Sequence, residues 1–268
     1  MSQGATGLVT AGSRASPQVN IVASIAQKLG VPCRVHTPEG ALSPEVVRAK
    51  EKGAELVQHK AGYNNVIIAR AREDAFARGW KEIPFGMECQ EAVEQTRKQV
   101  RNLPLEVRRL VIPVGSGMSL CGIMWGLYDV GRECMPILAV QVGGDPKKRL
   151  EKFAPDFSEG LFSSGHRVEF IRAPEDYHEV SKITEFEGIT LDPIYEAKAV
   201  RFLKPDDCLW VIGIRETSTK EYNATNKLSD AGVGTFQQAC RTSIVAAANA
   251  TTGIEEPAAD RSVICNPA

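Results

Sequence analysis

Residues 111–119 read Val-Ile-Pro-Val-Gly-Ser-Gly-Met-Ser, an apolar run that passes directly into a turn of glycine and serine. The apolar residues from Arg109 to Val114 predict a buried strand, and the residues from Leu120 to Val130 predict a helix. A strand, a short glycine turn and a helix are the unit from which helix-covered parallel sheets are built. The stretch therefore predicts an α/β fold.

The alternation of strand and helix continues on both sides of this stretch. The apolar pattern predicts strands at 8–10, 33–37, 55–58, 137–142, 168–171 and 209–214, and helices at 19–29, 44–52, 65–79, 88–102, 180–187 and 193–202. This order is typical of parallel sheets that have helices on both faces. We expect two open, mainly parallel, twisted sheets.

A domain boundary is predicted between Lys81 and Gly86, where Pro84 and Gly86 interrupt the pattern. We expect a smaller α/β domain at 1–84 and a larger α/β domain at 85–219 that contains the glycine turn. Residues 220–268 follow the alternation less well, and we expect them to be a C-terminal extension that packs on the larger domain.

Composition excludes several classes of protein. The chain has 268 residues, of which 43% are apolar and 24% charged, as in ordinary globular proteins. Its 32 basic and 33 acidic residues give a net charge of -1, so nothing in its overall charge favours nucleic acid or an anionic membrane. It has neither a signal-peptide pattern nor an apolar run of about 18 residues, so we expect a cytoplasmic protein without a membrane segment.

Cysteine and histidine spacing gives no sign of a metal site. The seven cysteines are widely spaced without a CxxC pair, and the four histidines lack the HxxxH and HExxH patterns. These spacings argue against a disulfide framework and a structural zinc site. We therefore expect no metal.

The turn Gly115-Ser116-Gly117-Met118-Ser119 has the form of an anion-binding loop. Backbone N–H groups and the N-terminus of the following helix would face a bound anion, and the serine hydroxyls would add donors. The same residues also suit a tight chain reversal that binds nothing. The residues alone leave both interpretations open.

Three segments resemble, in order, those of one enzyme family. They are Leu-Val-Thr-Ala-Gly-Ser-Arg-Ala-Ser-Pro-Gln (8–18), the stretch at 111–119, and Glu-Gly-Ile-Thr-Leu-Asp-Pro-Ile-Tyr-Glu-Ala-Lys-Ala (187–199). The family is that of the pyridoxal-phosphate enzymes of fold type II, in the branch of 1-aminocyclopropane-1-carboxylate deaminase and D-cysteine desulfhydrase. The resemblance covers most of residues 5–215. It implies a tryptophan-synthase-beta-like fold, pyridoxal phosphate bound between two domains, and a homodimer.

The resemblance also implies roles for residues in each segment. Gly115 to Ser119 would hold the cofactor phosphate, and Ser16 and Gln18 would lie at the anionic group of the substrate. Pro17 stands where the family has asparagine. An alternative role for Ser16 is that of a helix N-cap.

Tyr195 and Glu196 match a pair that lies at the active site in the deaminase branch. Glu196 would face the pyridine nitrogen and keep it protonated. The alternative is that Tyr195 packs against the sheet and Glu196 is solvated on a helix. Lys198 follows the family pattern as a helix residue, not as the Schiff-base lysine.

The family's Schiff-base lysine lies in an Asn-Lys pair on a helix before the first segment, and by the resemblance it would fall before Met1. Asn226-Lys227-Leu228 is similar to that pair, which makes Lys227 the candidate for a displaced catalytic lysine. The alternative is that Lys227 is a solvated loop residue.

Three functions remain open from the sequence. The first is binding of pyridoxal phosphate or a similar phosphorylated ligand, with lyase or deaminase chemistry on a small amino acid. The second is a catalytically inert binding or regulatory relative that lost the Schiff-base lysine. The third is an enzyme acting on a different phosphorylated or nucleotide substrate, for which the sequence has neither a Walker-type lysine nor an acidic metal cluster.

Overall fold

The computed structural model describes residues 4–60, 63–158, 167–183 and 185–213, together with the backbone of 263–265. Two compact units divide between Cys89 and Gln90, a few residues beyond the boundary that we expected after residue 84. Within the described ranges, no helix has the length and apolar character needed to cross a bilayer.

The first unit contains one four-stranded parallel sheet. Its elements are β1 (Leu8–Ala11), α1 (Gln18–Leu29), β2 (Cys33–Pro38), α2 (Pro44–Glu51), β3 (Glu55–His59), α3 (Asn64–Arg78) and β4 (Lys81–Ile83). The strand order is β3-β2-β1-β4. Strand β4 lies in the stretch that we expected to be a boundary, and it pairs in parallel with β1.

Helices cover both faces of this sheet. Successive side chains of a strand point to opposite faces, so Leu8 packs with α1 and α2 whereas Val9 packs with α3. Helix α1 ends where Gly30 adopts a left-handed conformation with φ 67°.

The second unit has a five-stranded sheet. Its elements are α4 (Gln90–Gln99), β5 (Arg109–Val114), α5 (Met118–Asp129), β6 (Ile137–Gln141), α6 (Lys147–Phe153), α7 (Pro155–Ser158), β7 (Val168–Arg172), β8 (Glu185–Phe186), β9 (Ile189–Thr190), α8 (Glu196–Ala199), β10 (Asp207–Trp210) and β11 (Val263–Cys265). The strand order is β11-β10-β5-β6-β7, and β11 alone among these five runs antiparallel to its neighbour.

Strand β5 separates two apolar cores. Leu110 and Ile112 pack on the face covered by α4 and α5, whereas Val111 packs on the opposite face with Leu191 and Ala197. Both units thus have mainly parallel sheets with helices on both faces. This architecture confirms the fold class predicted from the sequence.

The helix predicted at 180–187 is wrong in its described part. Residues 185–190 form the hairpin β8–β9, in which Glu185 pairs with Thr190 and Phe186 with Ile189. The two connecting residues have positive φ, 48° at Glu187 and 78° at Gly188, as a two-residue hairpin turn requires. The helix predicted at 193–202 is shortened to α8 and a 3-10 turn at Val200–Phe202.

The two sheets share one topology. In each, the first strand of the unit's sheet is followed by two strands on one side and then by a strand on the other side. Strands β1 and β5 therefore each have later strands of the same sheet on both sides. Ligand sites of open parallel sheets lie at such points, at the carboxyl ends of the strands.

A pair of histidines, the buried His36 and the partly buried His59, joins β2, β3 and α3. His36 Nδ1 lies 2.9 Å from His59 Nε2, and His36 Nε2 lies 3.1 Å from Asp74 Oδ2. Asp74 also accepts hydrogen bonds from Arg34 Nε at 2.6 Å and from Arg78 Nε at 2.9 Å. Burial lowers the pKa of His36 from its usual value, against the opposing effect of Asp74. The folded unit therefore favours the neutral imidazole.

We expect this preference to make the first unit sensitive to acid. Because the pKa of His36 is lower in the folded state, the unfolded state takes up a proton first as pH falls through about 6.5. The free energy of unfolding should then decrease by at most about 1.4 kcal/mol per pH unit for this one group.

The measurement is chemical denaturation between pH 8 and pH 5 for the native chain and for His36→Leu. The variant should lose stability at all pH values but show a flatter pH dependence. His178→Gln removes an exposed histidine and is the control. Equal pH dependence in His36→Leu and the native chain would contradict the assignment.

Candidate functional site

A small pocket opens at the carboxyl end of β5, next to the residues that follow β10. Its wall is formed by the end of β5, Gly115 to Gly117, Ser119 and Leu120 of α5, and Ile212 after β10. The space around it, open solvent included, is about 190 Å³, and water-sized groups can occupy about 20 Å³ of that space. The pocket therefore has room for a small group and not for a whole small molecule.

The N-terminus of α5 borders this pocket. Helix α5 begins at Met118, and its N-cap residue, Gly117, provides no side-chain cap. The first N–H groups of a helix have no partner within the helix and carry a partial positive charge. Of the five residues predicted to form the loop, four line the pocket, whereas the Met118 side chain is buried in the core of the unit.

Gly117 is required by the geometry of this loop. Its φ of 89° and ψ of -4° lie in the left-handed region, which other residues rarely adopt. A Cβ at this position would lie 2.7 Å from Pro146 Cβ. The turn thus brings the start of α5 close to the start of α6.

Glu196 is buried directly behind Ile212. Its Oε1 accepts hydrogen bonds from the backbone N–H groups of Ile212 at 2.6 Å and Gly213 at 2.7 Å. Its Oε2 is buried and has no hydrogen-bond partner among the described residues. The side chain is 1% exposed, so it is not the solvated helix residue that the sequence left as an alternative.

Burial raises the pKa of Glu196 to about 7, and the nearby charge of Asp192 adds to this effect. The two backbone N–H groups oppose the shift. Asp192 is itself 5% exposed, and its Oδ1 accepts hydrogen bonds from the N–H groups of Ile194 at 2.8 Å and Tyr195 at 2.9 Å. Two acidic side chains therefore lie together under the segment that carries Tyr195.

Gly213 lies directly against these two carboxyl groups. A Cβ on Gly213 would lie 2.6 Å from Asp192 Cβ and 2.6 Å from Glu196 Oε2. Only glycine fits here without displacing one of the acids. Neither Asp192 nor Gly213 was singled out from the sequence, although the Asp-Pro pair is itself a turn signal.

The Tyr195 ring lies over the first residue of the loop. A Cβ on Gly115 would lie 2.8 Å from Tyr195 Cε1 and 3.2 Å from its hydroxyl oxygen. That oxygen is 3.2 Å from the Tyr177 hydroxyl oxygen. Burial, with the neighbouring Tyr177 and the two acids, raises the pKa of Tyr195 well above its usual value.

Lys198 is fully buried in α8. Its Nζ donates hydrogen bonds to the carbonyl oxygens of Asp176 at 2.7 Å and Tyr177 at 3.3 Å. Burial lowers its pKa. The position agrees with the expectation that Lys198 is a helix residue. Its ammonium group donates its hydrogen bonds to backbone carbonyl oxygens.

Ser16 and Gln18 lie at the corresponding point of the first unit. The Ser16 hydroxyl accepts a hydrogen bond from the Gln18 N–H at 3.3 Å, and the N-cap of α1 is Pro17. The Gln18 amide nitrogen donates to Thr10 Oγ1 at 2.9 Å and to the carbonyl oxygen of Pro84 at 2.7 Å.

The Gln18 side chain also accepts a hydrogen bond, from the Gly86 N–H at 2.9 Å. Both amide hydrogens are thus used inside the unit, where they join the end of β1 to the residues that follow β4. The sequence did not predict this contact, because Pro84 and Gly86 are far from Gln18 along the chain.

Lys227, the candidate for a displaced lysine, lies outside the described residues. Within those residues, no group of three or more His, Cys, Asp or Glu side chains could hold a metal ion.

The chain is similar to several known proteins. The family model described as "Pyridoxal-phosphate dependent enzyme" matches residues 2–198. The rat protein "Serine dehydratase-like" is 33% identical over 125 residues, which are 44% of this chain and 37% of the relative. The human protein of the same description is 32% identical over 124 residues, with the same coverage. The match thus spans little more than a third of these curated relatives.

Solved structures show the same fold. The crystal structure of an "ACC deaminase homologue" has a TM-score of 0.62 and 23% identity, and covers 74% of this chain and 68% of that one. The processed form of threonine deaminase isoform 2 from Solanum lycopersicum has a TM-score of 0.50 and 15% identity, and covers 87% of this chain and 72% of that one.

The family model covers most of the chain, and both units have the mainly parallel, helix-covered sheets that the resemblance implies. The chain belongs to the family of pyridoxal-phosphate-dependent enzymes.

Proposed function

We propose that this protein binds pyridoxal phosphate, or a similar phosphorylated ligand, and uses it in lyase or deaminase chemistry on a small amino acid. The observation that carries the proposal is the pairing of two features in one unit. A helix N-terminus borders a small pocket, and a buried acid, Glu196, lies behind the pocket wall at Ile212.

The pocket suits the phosphate end of such a ligand. Backbone N–H groups at the start of α5 and the Ser119 hydroxyl would donate to phosphate oxygens, as at other helix N-termini. The dipole of α5, a helix of 12 residues, would add a favourable interaction with the negative charge. The rest of the ligand would extend out of the pocket.

Glu196 suits the pyridine end. Its Oε2 is buried without a hydrogen bond, and a buried polar atom of this kind costs free energy until a donor reaches it. A protonated pyridine nitrogen is such a donor. When bound, pyridoxal phosphate serves as an electron sink, which a protonated ring nitrogen strengthens.

Tyr195 would hold a proton beside this site. Because its pKa is raised, its hydroxyl stays protonated at neutral pH and can donate a hydrogen bond or a proton. Its ring closes one side of the loop at Gly115.

Three roles carried over from the resemblance complete the proposal. Ser16 and Gln18 would lie at the substrate anion, where the Ser16 hydroxyl is the direct donor and Gln18 holds the turn in place through its bonds to Pro84 and Gly86. Lys227 is the candidate for the Schiff-base lysine. The protein would act as a homodimer, which sedimentation of the purified chain would test.

The phosphate loop can be tested with Gly117→Ala. The added Cβ would combine a strained φ with a 2.7 Å contact to Pro146, so the loop must move. We expect affinity for pyridoxal phosphate and for inorganic phosphate to fall roughly tenfold or more, which corresponds to about 1.4 kcal/mol. Calorimetric titration measures both affinities.

Gly131→Ala is the matched control, because Gly131 also has a positive φ, of 67°, but no atom within 4 Å of an added Cβ. That variant should keep the native affinities. If Gly117→Ala bound phosphate with the native affinity, the loop would not be the phosphate-binding site.

Glu196 can be tested with Glu196→Gln, which keeps the shape of the side chain. A net loss of about 1.5–3 kcal/mol is expected for one hydrogen bond to a charged group, so pyridoxal phosphate should bind roughly ten- to a hundredfold more weakly. Inorganic phosphate, which has no pyridine ring, should bind as before. Glu185→Gln, at an exposed position, is the control, and equal weakening of both ligands would contradict the assignment.

The same variant has a consequence for stability. Because the folded state raises the pKa of Glu196 above its usual value to about 7, the stability linked to this carboxyl is present at pH 4 and lost as pH rises through 7. Glu196→Gln should therefore lack this loss in denaturation measured between pH 4 and pH 8.

The catalytic lysine can be sought by borohydride reduction after incubation with pyridoxal phosphate, followed by peptide mass spectrometry. We expect a stoichiometric adduct on Lys227 that Lys227→Ala abolishes. Lys220→Ala is the control. An adduct that survives in Lys227→Ala would exclude this residue, and binding without any adduct would support an inert relative.

A further inference from the structure

The segment from Asp176 to Ile183 is tied to the segment that carries Tyr195. Ser181 donates from its backbone N–H to the carbonyl oxygen of Pro193 at 3.0 Å and from its hydroxyl to the carbonyl oxygen of Ala197 at 3.3 Å. The same hydroxyl accepts from the Ile183 N–H at 3.2 Å. These bonds fix one end of the segment.

Lys198 fixes the other end. A buried ammonium group is costly unless it is hydrogen-bonded, and here the carbonyl oxygens of Asp176 and Tyr177 are its acceptors. The negative charges of Glu175 and Glu179 also favour its charged form, although burial lowers its pKa. The role of Lys198 is therefore structural: it holds the backbone at Asp176 and Tyr177 in place.

This backbone position sets the side chain of Tyr177. The Tyr177 and Tyr195 rings meet edge to face, with centroids 6.2 Å apart and planes at 75°. Their hydroxyl oxygens are 3.2 Å apart. The Tyr195 ring in turn lies against Gly115, the first residue of the pocket loop. A continuous series of contacts therefore runs from Lys198 through both phenols to the loop.

We propose that Tyr177 is a positioning residue for the Tyr195 hydroxyl and that Lys198 holds Tyr177 in place. The proposal rests on the proposed function, since it gives the Tyr195 hydroxyl a defined direction at the ligand pocket. A phenol hydroxyl has one hydrogen to donate. With Tyr177 as the donor in this contact, the Tyr195 hydroxyl keeps its own hydrogen for a ligand beside Gly115.

The test uses the full chain labelled with ¹³C at tyrosine Cζ, a carbon whose chemical shift responds to hydrogen bonding of the hydroxyl. The spectrum has five tyrosine signals, which single Tyr→Phe variants assign. We expect Tyr177→Phe to shift the Tyr195 signal and to change the dissociation constant of pyridoxal phosphate by about three- to tenfold, the range for one neutral hydrogen bond. We expect Lys198→Met to shift the Tyr195 signal in the same direction.

Tyr128→Phe, on the exposed face of α5, and Lys182→Met, at an exposed position, are the controls and should leave the Tyr195 signal unchanged. An unchanged Tyr195 signal in Tyr177→Phe would overturn the proposal, even if Lys198→Met fails to fold. A Tyr195 shift in Tyr177→Phe would support it, even in a protein that binds neither inorganic phosphate nor pyridoxal phosphate. Absence of binding of both ligands would reject the proposed function but leave the assignment of Tyr177 in place.

Discussion

In each unit, one buried side chain satisfies backbone groups just beyond the end of a strand. Backbone N–H and carbonyl groups just beyond the end of a strand have no ladder partner and need another one. In the first unit this side chain is Gln18, with bonds to Pro84 and Gly86. In the second unit it is Glu196, with bonds to Ile212 and Gly213. The rest of each site is arranged around one of these two side chains.

Gln18 and Glu196 meet these backbone groups differently, because one side chain is an amide and the other a carboxyl. Gln18 has donors and an acceptor, so it meets both kinds of backbone group and uses both amide hydrogens within the unit. Glu196 meets two N–H groups with one oxygen and leaves the other buried without a partner. Both side chains satisfy backbone groups, but only Glu196 keeps a buried oxygen without a hydrogen bond among the described residues. That asymmetry supports the proposal that the chemistry takes place in the second unit.

The sequence predicted most of the fold and only part of this site. Apolar runs bounded by glycine or proline predicted β1, β5 and β6, because burial on both faces leaves a local signature. Strand β4, Lys-Glu-Ile, is too short and polar to show one. The roles of Gln18 and Glu196 beyond the strand ends depend on partners distant in the chain, and no local pattern encodes those contacts.

The acid behind the pocket also distinguishes between possible ligands. A site that had only to bind a phosphate would gain nothing from a carboxyl group near it, because a negative charge there opposes a second negative charge. Glu196 and Asp192 are nevertheless buried together. Burial and the charge of Asp192 raise the pKa of Glu196 to about 7, which means that its charged form costs free energy here. A ligand that is anionic at one end and offers a protonated nitrogen at the other turns that cost into binding free energy. This pairing of charges favours a pyridoxal-phosphate-like ligand over a simple phosphometabolite.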